Sequence, residues 1–348
     1  MVEIPILVSF PKRELNRAGA ALREAPDTSP PQASLDVLRQ WRSAHQAPLN
    51  TVQMWLRSVI RSEPRKDIIV AQRLKRAPSI IRKLKRFKTM ELSTMQDIGG
   101  CRIICKDRKS IKRIVEKIKK SKAQHLRNIR NDYIIRPKDD GYRGIHIIAR
   151  TKNNKPTFEH LNNFKIEIQV RTKAQHAWAT AVETVDLFQK TGIKSGNQSS
   201  LWSEFFLNVS DCIAYDEDPS GTLIASFESA KSRALELYNE LRVGERLEAY
   251  RETLRLFNKF KNKSGAIFVL VLDTADEKSV LRGYAFKATM AEEANQRYLE
   301  EEQRTLGDAQ KDVVLVSALG IDVLTAAYPN YFLDTRNFIT ICRKILSA

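Results

Sequence analysis

Residues 164–171, Phe-Lys-Ile-Glu-Ile-Gln-Val-Arg, alternate apolar and polar side chains without a break. Ile166, Ile168 and Val170 point one way; Lys165, Glu167, Gln169 and Arg171 point the other. Period-two alternation specifies a strand with one buried and one polar face. Upstream, Tyr133–Ile135 and Ile145–Ala149 read as two further strands flanking a turn, Arg136-Pro137-Lys138-Asp139-Asp140-Gly141-Tyr142-Arg143-Gly144. A polar strand face carrying Glu, Gln and Arg beside a basic, aromatic turn suits a phosphate-rich, metal-bearing ligand.

Charge points the same way. The chain of 348 residues has a formal net charge of +18, with Lys and Arg crowded into residues 57–138 and an acidic stretch at 291–303. A basic field attracts phosphates, on nucleotides or on nucleic acid. The length allows one large or two ordinary domains, and no apolar run approaches a membrane span. The first ten residues lack the basic start and long apolar middle of a signal peptide. Of the four cysteines, only Cys101 and Cys105 are close, and they alternate with Ile103 as buried strand positions rather than as zinc ligands. This usage fits a reducing cytoplasm.

Helical spacing recurs at about 34–45 and 50–61, with Leu35, Leu38, Trp41, Met54, Trp55 and Val59 on the apolar faces. Pro78 suits the first turn of a helix whose buried stripe is Ile80, Ile81, Leu84 and Phe87. Arg73, Lys75 and Lys83 then surround the start of that helix, where free amides and the helix dipole favour a polyphosphate. A strand at Cys101–Cys105 carrying Arg102 and a helix at about 109–120 follow. A helix bearing His176, Trp178 and Glu183 closes the unit, and helical spacing assigns His176 and Trp178 to packing against the sheet. The fold class is α/β (α+β): a mixed β-sheet flanked by helices. Beyond it, Ser200–Tyr215 and Leu223–Phe260 read as helices. Strands at Ala266–Asp273, Gly283–Lys287 and Asp312–Ser317 and helices at about 290–304, 319–327 and 334–346 form a small C-terminal α/β module packed on them. The boundaries expected are an N-terminal helical segment at 1–64, the sheet domain at 65–195, a helical region at 196–262 and the small module at 263–348.

Four ordered motifs carry a resemblance: Arg-x-Lys-x-x-x-Ser-Ile-x-x-Lys from Arg73, Asp-Ile-x-Gly-x-Arg from Asp97, Asp-Tyr-Ile-x-x-Pro-Lys-x-x-Gly-Tyr-Arg-x-x-His from Asp132, and Glu-Ile-Gln-x-Arg-Thr from Glu167. In this order and spacing they resemble the synthetase domain of RelA/SpoT-type alarmone synthetases, a nucleotidyltransferase-like fold. The resemblance covers a third to a half of the chain. It implies Mg²⁺-dependent transfer of pyrophosphate from ATP to the 3′-hydroxyl of GDP or GTP, with release of AMP. Cationic clamps, a divalent ion and a base are what such a reaction needs.

The resemblance places Asp97 on Mg²⁺, and Glu167 as the second carboxylate: metal ligand, base for the 3′-hydroxyl, or both. It places Arg73, Lys75, Ser79 and Lys83 on the ATP phosphates and Arg102 against adenine, where a flat guanidinium stacks better than an amine. Tyr142 resembles the aromatic that stacks on the acceptor guanine. Lys138, Arg143 and His146 bind acceptor phosphates or hold the loop, and Gln169 and Arg171 share the polar face with Glu167. Gly144 stands where the family often has Ser, and Gly99-Gly100 adds a glycine where a small apolar residue is common. None of the five histidines precedes Asp, so the His-Asp dyad of the long members' hydrolase domain is missing, and the chain reads as a small, synthesis-only relative. Such relatives are often tetramers, although the C-terminal module sets this chain apart. Two other readings stand beside this one: the same transfer onto another acceptor, the 3′ end of tRNA, with possible tRNA or ribosome contact, or an adenine nucleotide; and a silent nucleotide- or RNA-binding protein.

Overall fold

The structure, a computed structural model, describes residues 11–26, 29–64, 67–75, 77–123, 125–189, 201–220, 227–244, 247, 267–273, 280–287, 290–305, 311–317 and 335–346. Its centre is a five-stranded mixed sheet: β1 (Ile68–Leu74), β2 (Gly99–Cys105), β3 (Leu126–Asp132), β4 (Ile145–Arg150) and β5 (Lys165–Thr172), in the order β1-β2-β5-β4-β3. Only β2 and β5 are parallel neighbours; the other three pairings are antiparallel.

The alternation of β5 decides how this sheet is used. Ile166, Ile168 and Val170 are fully buried and pack with Cys101, Ile103 and Ile147. Behind them lie α3 (Gln46–Val59) and α5 (Arg108–Lys120), whose apolar stripes include Leu49, Val52, Leu56, Ile111, Ile114 and Ile118. Asp107 caps α5, its side chain accepting from the Ser110 amide at 2.7 Å. A second cluster joins α1 (Lys12–Glu24), α2 (Gln32–Ala44) and α4 (Ala77–Arg86) through Leu15, Leu22, Leu38, Ile80 and Leu84. This leaves the opposite sheet face, with every other residue of β5, available for chemistry.

A third cluster gathers α6 (Lys173–Gln189), α7 (Leu201–Glu217) and α8 (Phe227–Glu240) around Phe205, Phe206, Trp178 and Trp202. The C-terminal sheet is antiparallel, formed by β6 (Ile267–Asp273), β7 (Val280–Phe286) and β8 (Lys311–Ser317) in the order β7-β6-β8, and α9 (Ala291–Arg304) covers it through Tyr298. The last described helix, α10 (Arg336–Leu346), inserts Phe338, Ile339 and Cys342 into the α6–α8 cluster instead. Among the described residues no helix is long and apolar enough to cross a membrane.

Several local expectations need correction. Met54 and Phe87, expected on buried faces, are exposed at 70% and 44%, because Met54 falls off the apolar stripe of α3 and Phe87 lies just past the end of α4. The strand expected at Tyr133–Ile135 is a turn, because an Asp132 carboxylate oxygen accepts from the amides of Ile134 and Ile135 at 3.0 and 3.2 Å and bends the chain. The strand lies just before it, in the basic run 126–132. The helix read across Leu223–Phe260 is described as α8 and stops near Arg242, whose φ of 49° is left-handed; residues 248–260 lie outside the described residues, as does the helix expected at 319–327. The chain also forms α1 and β1, which the spacing did not suggest.

Candidate active site

Strand register assembles the site. Cross-strand partners share a face, so the pairings Arg73↔Gly100, Gly100↔Glu167 and Ile148↔Glu167 put Arg73 and Glu167 in one row with a glycine between them. The next row holds Arg102, Gln169 and His146, through Arg102↔Gln169 and His146↔Gln169. Gly100 lets the face stay open here: a Cβ added to it would meet only backbone oxygens at 3.7 and 3.9 Å.

Around Glu167 the side chains close a ring of hydrogen bonds. Gln169 Nε2 donates to Glu167 Oε2 at 2.7 Å, and Arg171 Nη2 donates to Gln169 Oε1 at 2.7 Å. Arg171 Nε donates to Tyr142 Oη at 3.0 Å, Tyr142 Oη meets His146 Nε2 at 2.6 Å, and His146 Nδ1 meets Glu167 Oε1 at 3.0 Å. Donor counting fixes the protons. Arginine only donates, so the tyrosine hydrogen goes to His146 Nε2, leaving Nδ1–H to face the carboxylate. Burial pushes the Glu167 pKa up, but the His146 and Gln169 hydrogen bonds outweigh it and hold the pKa down at about 2. Burial lifts the Tyr142 hydroxyl to about 12, so it stays a phenol.

Tyr142 is enclosed by charge. The Lys138 amine lies 4.9 Å from its ring centroid and the Arg171 guanidinium 4.7 Å. Tyr133 meets both Tyr142 and His146 edge to face, at 5.7 and 5.2 Å, and shares Lys138 at 4.9 Å. Gly144 makes the packing feasible. Its φ is 152°, and a Cβ there would meet Arg171 Cγ at 3.1 Å and Tyr142 Oη at 3.3 Å. The departure from the Ser common at this position therefore has a local cause.

The other half centres on Asp97, just before β2. Lys75 Nζ and Lys83 Nζ both donate to Asp97 Oδ2, at 3.0 and 2.8 Å. Burial pushes this carboxyl up in pKa, but Lys75 and Lys83 overcome it, with Glu167 opposing them, and the net shift is downward. Asp97 Oδ1 is buried and has no hydrogen-bond partner. A buried, ionised oxygen that no donor reaches suits a hard cation. Magnesium is held by one or two carboxylates plus its own waters and substrate phosphates, so Asp97 with Glu167 nearby fits it. Among the described residues no group of three or more His, Cys, Asp or Glu forms a larger metal cluster.

The remaining expected residues are placed as follows. Arg73 ends β1, and Ser79 sits in the first turn of α4, its hydroxyl accepting from Arg82 at 3.5 Å. Arg102 lies on the active face but is only 5 % exposed. Of the two roles expected of Arg143, acceptor phosphate contact or holding the loop, its contacts match the second. Its guanidinium donates to Ser210 Oγ at 3.1 Å, to the Ile134 carbonyl at 3.4 Å and to Asp211 Oδ1 at 2.6 Å, tying the Tyr142 loop to α7. His176 and Trp178 are buried in α6, with Trp178 Nε1 donating to the Phe206 carbonyl at 2.8 Å. Sequence reasoning missed Tyr133 as a wall of the site, although it stands in the quoted motif, and missed Ser210 and Asp211, whose helical spacing carries no hint of their partner.

Beside the site, on the β3–β4–β5 side, Gln96, Arg127, Asn128, Arg130, Ile148, Arg150 and Lys165 line a groove. Burial and the cations Arg150, Lys12 and Arg130 lower the pKa of Lys165.

Residues 72–190 match the model of a region found in RelA / SpoT proteins. Over 114 residues, 31% of this chain and 52% of the relative, the sequence is 35% identical to GTP pyrophosphokinase YwaC of Bacillus subtilis (strain 168). Over 113 residues, 32% of this chain and 52% of the relative, it is 34% identical to GTP pyrophosphokinase YjbM of the same organism. The chain thus spans about half the length of these curated relatives. The solved small alarmone synthetase 1 from Bacillus subtilis aligns at 24% identity with a TM-score of 0.42, covering 61% of this chain and 99% of that one.

Proposed function

We propose, from the premise that residues 72–190 are a RelA/SpoT-type region, that this chain moves the pyrophosphate of ATP onto the 3′-hydroxyl of GDP or GTP and releases AMP. The observation that carries the reading is the nearness of two carboxylates of opposite surroundings, Glu167 on the sheet face and Asp97 just before β2, close enough to feel each other's charge. Asp97 has two lysines and a bare buried oxygen; Glu167 has a closed hydrogen-bond ring.

On this reading the donor phosphates lie against Lys75, Lys83, Arg73 and the first turn of α4. Asp97 and Glu167 would hold Mg²⁺, which when bound neutralises charge on the transferred phosphates. Glu167, ionised at neutral pH and aimed by His146 and Gln169, accepts the hydrogen bond of the attacking 3′-hydroxyl. The new bond forms between that oxygen and the β-phosphorus as the bond from the β-phosphorus to the bridging oxygen of AMP breaks. A carboxyl held near pKa 2 does not retain the proton, so Glu167 orients and polarises the hydroxyl and passes its proton to water. Lys138 and Tyr142 take the acceptor nucleotide, which requires Lys138 to leave the Tyr142 ring. Residues 65–195 form the catalytic unit, and its place is the cytoplasm.

One observation favours a second acceptor. The groove with Arg127, Arg130, Arg150 and Lys165 runs off the active face and suits the phosphates of a tRNA 3′ end. The deciding experiment offers ATP labelled at its terminal phosphate, with Mg²⁺, to GDP, GTP, ATP and deacylated tRNA in parallel. Label on GDP or GTP upholds the main reading. Label on tRNA alone selects the second, and no label on any acceptor rejects both.

A further inference from the structure

We propose that Arg42 is a positioning residue through which the C-terminal sheet unit sets the donor-side lysine, Lys75. The inference rests on the reading of Lys75 as a contact for the ATP phosphates. Arg42 belongs to α2, far in sequence from either partner. Its Nε donates to the Lys75 carbonyl at 2.9 Å. Its Nη2 donates to Tyr298 Oη at 3.3 Å, and its Nη1 lies 3.8 Å from Glu302 Oε1. Tyr298 Oη in turn donates to Glu302 Oε1 at 2.7 Å. Both partners lie on α9 and are buried, Tyr298 at 6% and Glu302 at 5% exposure.

The consequence for Lys75 is geometric. Its amide donates to the Ile98 carbonyl at 2.7 Å, and its carbonyl accepts from Arg42, so both backbone groups are pinned just after β1. A pinned backbone fixes where its amine can reach, and that amine is on Asp97. Asp97, Lys75, Arg42 and the Tyr298–Glu302 pair thus form one continuous path from the donor-side carboxylate to the helix that covers the C-terminal sheet. The fork of the guanidinium is essential: one edge holds the carbonyl while the other holds α9, which a lysine amine cannot do at once. The second oxygen of Glu302 is buried with no hydrogen-bond partner, so the arrangement loses its counter-charge if Arg42 leaves.

The test compares Glu302→Gln, Tyr298→Phe and Arg42→Lys with wild type and with Arg304→Ala, an exposed position on the same helix. Affinity for a non-hydrolysable ATP analogue is measured by calorimetry, and KM for ATP and for the acceptor by label transfer. Misplacing a phosphate contact from a distance costs on the order of tenfold to a hundredfold. The expected result is a rise of that size in Kd and KM for ATP, with acceptor KM unchanged and Arg304→Ala matching wild type. Hydrogen exchange of residues 68–75, read without nucleotide, should speed up in Glu302→Gln and Tyr298→Phe. Faster exchange with unaltered ATP affinity would reduce Arg42 to a structural tie, and unaltered exchange, or tighter ATP binding in the variants, would overturn the proposal. If wild type binds no ATP while exchange still responds, the donor assignment fails and the mechanical link survives.

Discussion

The two carboxylates of the site are built on opposite plans. Glu167 sits in a ring in which Gln169, Arg171, Tyr142 and His146 satisfy one another before any ligand arrives. Asp97 has both its lysines on one oxygen and nothing on the other. The first arrangement is rigid and selects geometry; the second is charged, incomplete and ready to exchange partners. A transfer reaction needs both, since a hydroxyl must be aimed while a polyphosphate must be drawn in and released. The comparison predicts that the acceptor side fails through lost orientation and the donor side through lost charge.

The largest expected effect comes from removing either charge. Glu167→Gln and Asp97→Asn should each lower transfer by roughly a thousandfold or more, about 4 kcal/mol of transition-state stabilisation. Circular dichroism should show the fold retained, since both replacements keep volume. The halves separate in degree: both variants should weaken the response of the ATP analogue to Mg²⁺, Asp97→Asn more than Glu167→Gln, and Glu167→Gln should cost more in acceptor use. Transfer at wild-type rates in either variant would remove it from the site.

The next effect is on acid stability. The Glu167 pKa is lowered on folding, from 4.5 to about 2. A lowered carboxylate stabilises the fold above its unfolded value and loses that contribution as pH falls through the folded one. The contribution is about 3 kcal/mol, lost between roughly pH 4.5 and 2. Thermal midpoints measured across that range should fall steeply in wild type and less steeply in Glu167→Gln. Equal slopes would mean that the ring does not hold the charge as drawn.

Much of this contrast was legible in the sequence because β5 declares both of its faces. Alternation gave the strand, the buried side and the order Lys165, Glu167, Gln169, Arg171 on the other. The motifs then carried Asp97, Lys75 and Lys83 into one neighbourhood. What stayed hidden depends on contacts across the fold. Ile-Ile-Val-Ala in β1 is too short and too uniform to separate strand from helix. Asp132 ends β3 through a side-chain bond that composition does not announce. Arg143 reads as a phosphate contact or as a holder of its loop, and only Ser210 and Asp211, distant in sequence, show it drawn to α7. Arg42 and Glu302 meet across most of the chain.

A smaller effect tests whether the ring acts as a unit. Tyr142→Phe keeps the aromatic face and deletes the one oxygen that joins Arg171 to His146. Leaving a buried donor without its acceptor costs about 1–3 kcal/mol, readable as a lower denaturation midpoint. His146 also loses its hydrogen-bond donor at Nε2, so its tautomer is no longer fixed. Acceptor KM should rise and kcat should fall, with ATP affinity unchanged. A variant that loses stability but keeps both constants would show that the ring serves folding alone.

The smallest effect is expected at Gly144, where the acceptor loop turns into β4. Gly144→Ser restores the residue common in the resembled family, yet at φ 152° a side chain is strained and its Cβ would meet Arg171 Cγ at 3.1 Å. Strain of this kind costs about 1–3 kcal/mol when nothing shifts, and less if the Arg171 stem, which is flexible, gives way. Because Arg171 is the member that moves, its bonds to Tyr142 and Gln169 lengthen while the lysines on Asp97 are untouched. The expected signature is a modest loss of stability and a few-fold rise in acceptor KM with no change for ATP, measured on the same preparation. An equal rise for ATP would mean that the two halves are mechanically joined through β5 and that the contrast between them is one of charge alone.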